Sequence, residues 1–227
     1  MAAENNFVTD NIKTEEGDLS ITFLGHATLM ISFNGKIIHI DPVSQYADYS
    51  KMPQADLILV THEHYDHCDL EAIGAIRTDK TLIVIPPDTA EQVKDGIIMK
   101  NGDKKTIQGL LIEAVPAYNL VNMRSPGVPY HGKGIGNGYI ITCGGKRIYI
   151  AGDTENIPEM KVLKDIDIAF LPMNLPYTMT PEMVADAAGA FQPKILYPYH
   201  YGETDVQKLI DLLRDEKNIE VRIRKMM

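Results

Sequence analysis

The sequence predicts an α/β protein in which two β-sheets are covered by helices, and three observations lead to that class. Strand patterns come first in long runs and helical patterns are interleaved later, which disfavours a purely parallel, doubly wound sheet. Two short and nearly continuous apolar runs, "ADLILVT" and "TLIVIPP", are typical of strands buried on both faces. The 227 residues, 44% of them apolar, suit one large folded domain.

The first half of the chain contains consecutive strand patterns with short helices between the later ones. "LSITFLG" and "TLMISFNGKIIHIDP" predict strands, and Asn34-Gly35 between two apolar runs predicts a hairpin turn. "DLEAIGAIR" predicts a short helix between the two buried strands, and "DTAEQVK" predicts another with an aspartate as its start signal. We interpret residues 1–17 as a polar, frayed lead-in and residues 18–227 as the folded domain.

The second half alternates strands and helices. The predicted strands are "GLLIEAVPAY", "GYIITCGGKRIYIAGDT" with a hairpin at Gly144-Gly145, "IAFLPMN", "KILYPYH" and "IEVRIR". "TPEMVADAAGAF" predicts a helix with Thr180 as N-cap, and "TDVQKLIDLLRDE" predicts a helix whose capping box pairs Thr204 with Gln207. Residues 119–137 form the one long irregular segment, and a loop of that length in a compact domain is usually functional or mobile.

Composition excludes several classes of protein. The net charge of −9 disfavours non-specific binding to nucleic acid, which needs clustered Lys and Arg. No apolar run approaches a membrane span, and the polar start lacks the features of a signal peptide. Cys68 and Cys143 are too few for a disulfide framework. We therefore expect a cytoplasmic protein with reduced thiols, no membrane span and no nucleic-acid partner, and we leave its oligomeric state open.

The segment from His62 to His67 concentrates three histidines and two acids directly after a buried strand. His62 and His64 are two residues apart, so in extended backbone they project to the same side. Asp66 and His67 follow in a turn, where they would face a second cation. Without metal, this crowding would cost free energy through desolvation and like-charge repulsion, and bound divalent cations remove that cost. The segment therefore predicts a metal site.

Polar side chains also follow other predicted strands, and strand ends are where sheet proteins tend to bind ligands. The pattern predicts that one rim of the sheets collects the residues that follow five strands, namely His62 with His64, Tyr118 with Asn119, Asp153, Asn174 and His200.

The motifs resemble those of the metallo-β-lactamase superfamily. "THEHYDHCD" resembles its H-x-H-x-D-H motif, "AGDT" the segment with its metal-bridging aspartate, and "YPYHYG" the segment with its last ligand. "LGHAT" and "IHIDP" resemble the branch that contains L-ascorbate-6-phosphate lactonase and N-acyl-phosphatidylethanolamine phospholipase D. The similarity covers residues 19 to 202. It implies a four-layer αββα sandwich with a binuclear site at the shared edge of its sheets.

The resemblance also implies how the ligands divide between two metals. His62 and His64 would bind the first metal, Asp66, His67 and His200 the second, and Asp153 would bridge them. The family usually places a third first-metal histidine at the end of the strand before the hairpin, where this chain has Asn119.

The third ligand of the first metal is therefore open at this point. His131 is the only unassigned histidine between His67 and Asp153, and we expect it to fold back from the long loop to complete the first site. Asn119 as a weak oxygen ligand, or a first site with only two histidines, are the alternatives.

Three further residues are candidates for substrate contact or for support of the ligands. We expect Asp41 to accept the free N–H of a ligand histidine, with a turn-forming aspartate before Pro42 as the alternative. His26 could face the site or be an ordinary turn histidine. Asn174 follows a strand on the same rim.

The predicted ligands determine the expected chemistry. Histidine-dominated ligation favours two zinc ions, with manganese or iron as alternatives. Two such ions would share a water and lower its pKa toward about 7, so that hydroxide attacks a lactone, a phosphodiester or a related ester. Asp66 would orient the hydroxide and pass its proton to the leaving group. The expected substrate is a small anionic or ester molecule.

Two other functions use the same fold. A flavodiiron-like redox protein would have glutamate where this chain has His64. A non-catalytic metal-binding scaffold is disfavoured because the expected set is complete, with Asp66, His67, Asp153 and His200 all present. The substrate and the native metal stay open.

Overall fold

Two seven-stranded sheets pack face to face and carry helices on their outer faces. The computed structural model describes residues 7–226. The first sheet consists of β1 (Val8–Thr14), β2 (Gly17–Gly25), β3 (Thr28–Phe33), β4 (Lys36–Ile40), β5 (Leu57–Leu59), β6 (Leu82–Ile85) and β7 (Ile97–Ile98). Its strands lie in chain order, antiparallel from β1 to β4 and parallel from β4 to β7.

The second sheet is built from the rest of the chain. It consists of β8 (Lys104–Ile107), β9 (Leu110–Pro116), β12 (Asn137–Cys143), β13 (Lys146–Ile150), β14 (Ile168–Pro172), β15 (Ile195–Tyr199) and β16 (Glu220–Val221). The strand order is β16-β15-β14-β13-β12-β9-β8, parallel from β13 to β16 and antiparallel elsewhere. The small hairpin of β10 (Met123–Ser125) and β11 (Val128–Pro129) lies within the long loop.

The layers follow from where apolar side chains are buried. The inner faces share one core, in which the Phe23 ring of β2 lies 5.1 Å from the Tyr197 ring of β15. α1 (Leu70–Ile76) packs Ile73 against the outer face of the first sheet. α2 (Pro158–Lys161), α3 (Pro181–Phe191) and α4 (Val206–Leu212) belong to the second sheet's side of the core. The predicted α/β sandwich is thus confirmed. Among residues 7–226, no helix combines the length and apolarity that a membrane span requires.

Local predictions agree with the structure at two places. Asn34 and Gly35 form the β3–β4 turn with φ values of 50° and 74°, as a two-residue turn with both central residues at positive φ requires. Thr180 caps α3 by accepting a hydrogen bond from the Met183 N–H.

Three local predictions were wrong. Asp205, not Thr204, caps α4: its carboxylate accepts the Gln207 N–H at 2.9 Å, because the helix begins one residue later than expected. The segment "DTAEQVK" overlaps a short 3₁₀ helix, Pro87–Glu91, in place of an α-helix. Val8–Thr14, expected to fray, pair along their whole length with β2, and residues 1–6 of the predicted lead-in lie outside the described residues.

Candidate metal centre

The predicted ligand residues converge at the edge where the two sheets meet. Asp153 lies at the centre, with Oδ2 3.3 Å from Nε2 of both His131 and His200, and Oδ1 3.4 Å from Nε2 of His67. Potential ligand atoms lie within 4.8 Å of one another in three groups: His62 with His64 and His131, His26 with Asp66, His67 and His200, and His62 with His67 and Asp153. The long loop thus brings His131 to the two motif histidines, as expected. The assignment of each residue to a particular metal stays a prediction.

Unmatched polar atoms at this edge show whether the residues fit a metal. Among the described residues, Nε2 of His67, His131 and His200 and Oδ1 of Asp153 are buried and lack a hydrogen-bond partner. Leaving such an atom unmatched costs about 1–3 kcal/mol, more for a charged group. Imidazole nitrogens and carboxylate oxygens are the donors that zinc, manganese and iron accept. The side chains therefore fit divalent cations.

Asp41 and Thr61 orient the histidines of the motif. The fully buried Asp41 carboxylate accepts hydrogen bonds from Nδ1 of His67 at 2.8 Å and from Oγ1 of Thr61 at 2.6 Å. Thr61 Oγ1, whose proton goes to Asp41, is in turn 3.0 Å from Nδ1 of His62. Both imidazoles therefore carry hydrogen on Nδ1 and present Nε2 to the centre. The expected hydrogen bond to Asp41 is present, and Thr61 is a residue that the sequence interpretation missed.

Burial and neighbouring charges shift the pKa values of the cluster in opposite directions. Burial lowers the pKa of His62 well below its usual value and that of His131 to about 4, so both are neutral at pH 7. Burial also disfavours charge on His67, but the surrounding carboxylates, Asp153 foremost, raise its pKa to about 9. Burial alone would raise the pKa of Asp153, yet the charges of His200 and His67 hold it well below its usual value. His62 and His131 are therefore ready to bind a cation, whereas His67 would release a proton on binding one.

Backbone conformation places several of these side chains. His26, Asp41 and His200 have φ values of 52°, 43° and 48°, in the left-handed region. Such residues cost on the order of 1–3 kcal/mol each and cluster at functional sites. Gly152 has a φ of 65° and turns the chain into Asp153; a Cβ there would lie 2.9 Å from the Asn137 carbonyl oxygen. These strained turns direct the polar residues after the strands toward the same edge.

Two cavities meet at the cluster. One, of about 290 Å³, lies under the long loop, and the other, of about 480 Å³, is lined mainly by aromatic side chains. Among the described residues that line either cavity, Arg124 is the only lysine or arginine. Both cavities are lined by His64, Tyr130, His131 and Asp153. A small molecule that spans both would therefore place its middle beside the cluster.

The remaining candidates lie at different distances from the centre. His26 donates from Nε2 to Asp66 Oδ2 at 3.2 Å, so it faces the site. Asn174 lines the larger cavity beside His200. Asn119 is one step removed, because its Oδ1 is 2.8 Å from His131 Nδ1.

Sequence reasoning missed two more residues of the site. Tyr46 lines the larger cavity and stacks on His26 with ring centroids 5.3 Å apart. Glu155 bonds to Asn119 at 3.2 Å. Their only sequence signals were positions close to Pro42 and to Asp153.

The paired sheets and the His/Asp cluster at their edge define an α/β sandwich with a candidate metal site, and comparison with known proteins agrees with this class. The family description "Beta-lactamase superfamily domain" matches residues 20–200, and the chain belongs to that superfamily. The UPF0173 metal-dependent hydrolase TK0141 of Thermococcus kodakarensis is 35% identical over 196 residues, which cover 81% of this chain and 84% of that protein.

Solved structures lead to the same fold. A metal-dependent hydrolase from Parabacteroides distasonis is similar over 97% of this chain and 100% of its own, with 51% identity and a TM-score of 0.93. Igni18, a metallo hydrolase from Ignicoccus hospitalis, covers 92% of this chain and 95% of its own, with 25% identity and a TM-score of 0.76. The predicted metallo-β-lactamase fold is confirmed.

Proposed function

We propose that this protein is a metal-dependent hydrolase that cleaves an ester bond in a small molecule, of the lactone or phosphodiester type, with two divalent metal ions. Zinc is the expected metal, with manganese or iron as alternatives. The observation that carries the proposal is the set of buried, unmatched nitrogen and oxygen atoms that converge where two cavities meet. The relatives TK0141 and the Parabacteroides distasonis protein, both called metal-dependent hydrolases, support the reaction class.

The residues divide into two sets of ligands. The first metal would be held by His62, His64 and His131, the second by Asp66, His67 and His200, and Asp153 reaches both sets. When bound, such ions lower the pKa of water and polarise a carbonyl or phosphoryl oxygen.

Asp66 is the expected proton carrier. Burial would raise its pKa, but the hydrogen bond from His26 and the charge of His67 lower it to about 2, so Asp66 is ionised at neutral pH. Its side chain is one quarter exposed, at 24%, and borders the larger cavity. The carboxylate can therefore accept a proton from the nucleophile and deliver it to the leaving-group oxygen.

The cavities favour a substrate with one anionic group and an apolar part. The only lysine or arginine among their described lining residues is Arg124, in the smaller cavity. Tyr46, Tyr65 and Tyr177 line the larger one and offer flat, weakly polar surface. Apart from the proposed metal ions, a substrate with several phosphates would meet only this one cationic side chain among the described lining residues.

Metal analysis and a substrate panel on the same preparations test the proposal. Wild type should bind about two zinc or manganese ions per chain and hydrolyse bis-p-nitrophenyl phosphate, a lactone or a thioester. His131→Ala should lower occupancy of the first site. Arg124→Ala should keep both metals and raise KM for anionic substrates only. Protein that takes up less than half an equivalent, with no activity restored by zinc or manganese, contradicts the proposal. Bound iron with oxygen consumption would instead identify a redox protein.

A further inference from the structure

We infer that Asn119 and Glu155 are positioning residues, which fix the ring orientation and the protonated nitrogen of His131 through a buried chain of hydrogen bonds. The inference rests on the proposed role of His131 as a ligand of the first metal. These hydrogen bonds would hold a histidine in a loop in a defined position, as a sheet holds a histidine at the end of a strand.

The hydrogen bonds of Asn119 determine which way its amide points. The buried Asn119 donates from Nδ2 to Glu155 Oε1 at 3.2 Å and to the Tyr177 carbonyl oxygen at 2.9 Å. Its Oδ1 accepts the backbone N–H of His131 at 2.8 Å. Reversing the amide would set its NH₂ against that N–H and its oxygen against two acceptors. Only one orientation satisfies all of these groups.

The amide orientation in turn determines the state of His131. Nδ1 of His131 is 2.8 Å from Asn119 Oδ1, which can only accept, so the ring hydrogen must be on Nδ1. Nε2 of His131 then has a free lone pair, and this atom lies 3.3 Å from Oδ2 of Asp153. Hydrogen bonding at one ring nitrogen commonly selects the other for metal binding. The same bonds occupy Asn119 Oδ1 and leave it unsuited to be the weak oxygen ligand considered from the sequence.

Glu155 connects these hydrogen bonds to the turn that carries Asp153. Its side chain is fully buried, and its carboxylate accepts backbone N–H groups from Leu120 at 2.7 Å, Val121 at 2.8 Å and Asn122 at 2.7 Å. With the Asn119 amide, four N–H donors satisfy a charge that would otherwise be costly to bury.

A second contact joins residues 119 and 131 within the long loop. The backbone N–H of Asn119 donates to the His131 carbonyl oxygen at 2.9 Å, so residues 119 and 131 are bonded through both backbone and side chain. The turn at residues 153–155 therefore provides one ligand directly and positions another across the sheet edge.

Metal affinity can show whether Asn119 positions His131 or only stabilises the fold. Asn119→Ala and Asn119→Leu, both of which lack an acceptor for His131, should weaken binding of the first Zn²⁺ by about 10- to 100-fold and leave the second nearly unchanged. Asn119→Leu removes the acceptor for the His131 N–H groups but keeps a side chain of similar size, so it tests the hydrogen bonds without opening a cavity. Asn122→Ala is the matched control, because that side chain bonds only to the Thr178 carbonyl oxygen, at 3.3 Å.

The readouts are competition with a chromophoric chelator and the visible spectrum of the Co²⁺-loaded protein, with chemical unfolding of the metal-free variants alongside. We expect the Co²⁺ bands of the first site to change in both Asn119 variants and not in Asn122→Ala. If the variants lose unfolding free energy but keep the wild-type ratio of first to second affinity, Asn119 is merely structural and the inference is wrong. If wild type itself binds no metal, the proposed function fails instead. If His131→Ala still binds two metal ions with wild-type affinity, His131 is not a ligand of the first metal. That result would contradict the proposed ligand set and this inference together.

Discussion

Asp41→Asn should weaken metal binding at His67 and destabilise the metal-free protein. The fully buried carboxylate accepts three hydrogen bonds: from Thr61 N at 2.7 Å, Thr61 Oγ1 at 2.6 Å and His67 Nδ1 at 2.8 Å. Asparagine has the same shape but sets an NH₂ group against at least one of these donors. The Thr61 hydroxyl can rotate away, whereas the Thr61 backbone N–H cannot, so we expect the amide to lose its bond to His67.

The structure gives the size of the effect. A hydrogen bond to a charged group contributes about 1.5–3 kcal/mol, and a donor left buried without a partner adds a similar penalty. We therefore expect the free energy of unfolding to fall by about 3 kcal/mol, which lowers Tm by roughly 6–12 °C for a chain of this size. Because the amide NH₂ cannot accept a hydrogen bond from Nδ1, we expect His67 to move its proton to Nε2 and metal affinity to fall by about 10- to 100-fold.

Urea unfolding of chelator-treated protein measures the first quantity, and Zn²⁺ competition measures the second. Asp56→Asn is the control: its carboxylate accepts one backbone N–H, from Ile37 at 2.8 Å, at the opposite end of β5. That variant should lose little stability and no metal affinity. Unchanged Zn²⁺ affinity in Asp41→Asn would refute the reasoning, because the orientation of His67 would then not depend on this hydrogen bond.

Three further predictions concern metal binding, the ion pair of Asp10 with Arg224, and the close approach of Gly136 to His62. Chelation should lower Tm reversibly in scanning fluorimetry, since an ion at a concentration 1,000 times its Kd contributes about 4 kcal/mol. Burial alone would raise the pKa of Asp10, but its hydrogen bond with Arg224 lowers it, so the contribution to stability is present above the usual pKa of the carboxyl and is lost as pH falls through the lowered value. Asp10→Asn should therefore cost about 1 kcal/mol in urea unfolding at pH 7 and progressively less in acid. Gly136→Ala would bring a Cβ within 3.0 Å of the His62 Cβ and should lower Zn²⁺ affinity in competition assays, whereas Gly74→Ala, in open space on a helix, should not.

The fold was predictable wherever burial leaves a pattern in the sequence. The strands around "ADLILVT" and "TLIVIPP" are nearly all apolar because both faces are covered, and β5 and β6 are interior strands of the first sheet. β1 and β8 lie at sheet edges, and "VTDNIKT" and "KKTI" are largely polar because water reaches them. An edge strand is stabilised mainly by pairing with its neighbour, and the residues of one segment do not record that pairing.

The candidate site was predictable to the extent that its chemistry is local. His62, His64, Asp66 and His67 lie within six residues, and their crowding alone indicates a cation. The roles of distant residues came from resemblance to a family. The oxygens that orient the imidazoles are harder to recognise, because Thr61 looks like any strand-end threonine until its hydroxyl is seen between two side chains.

His131 shows why the remaining part of the site needed coordinates. The sheet fixes the position of a histidine at a strand end, so a strand pattern followed by a histidine is enough to suggest a ligand. His131 instead lies in a loop, and what holds it near His64 is the amide of Asn119 and, behind that, the carboxylate of Glu155. Neither residue type signals metal binding, and an asparagine at position 119 suggested a missing ligand. In the proposed ligand set, the third histidine is displaced along the chain rather than lost, and position 119 is occupied by the group that we infer to orient it.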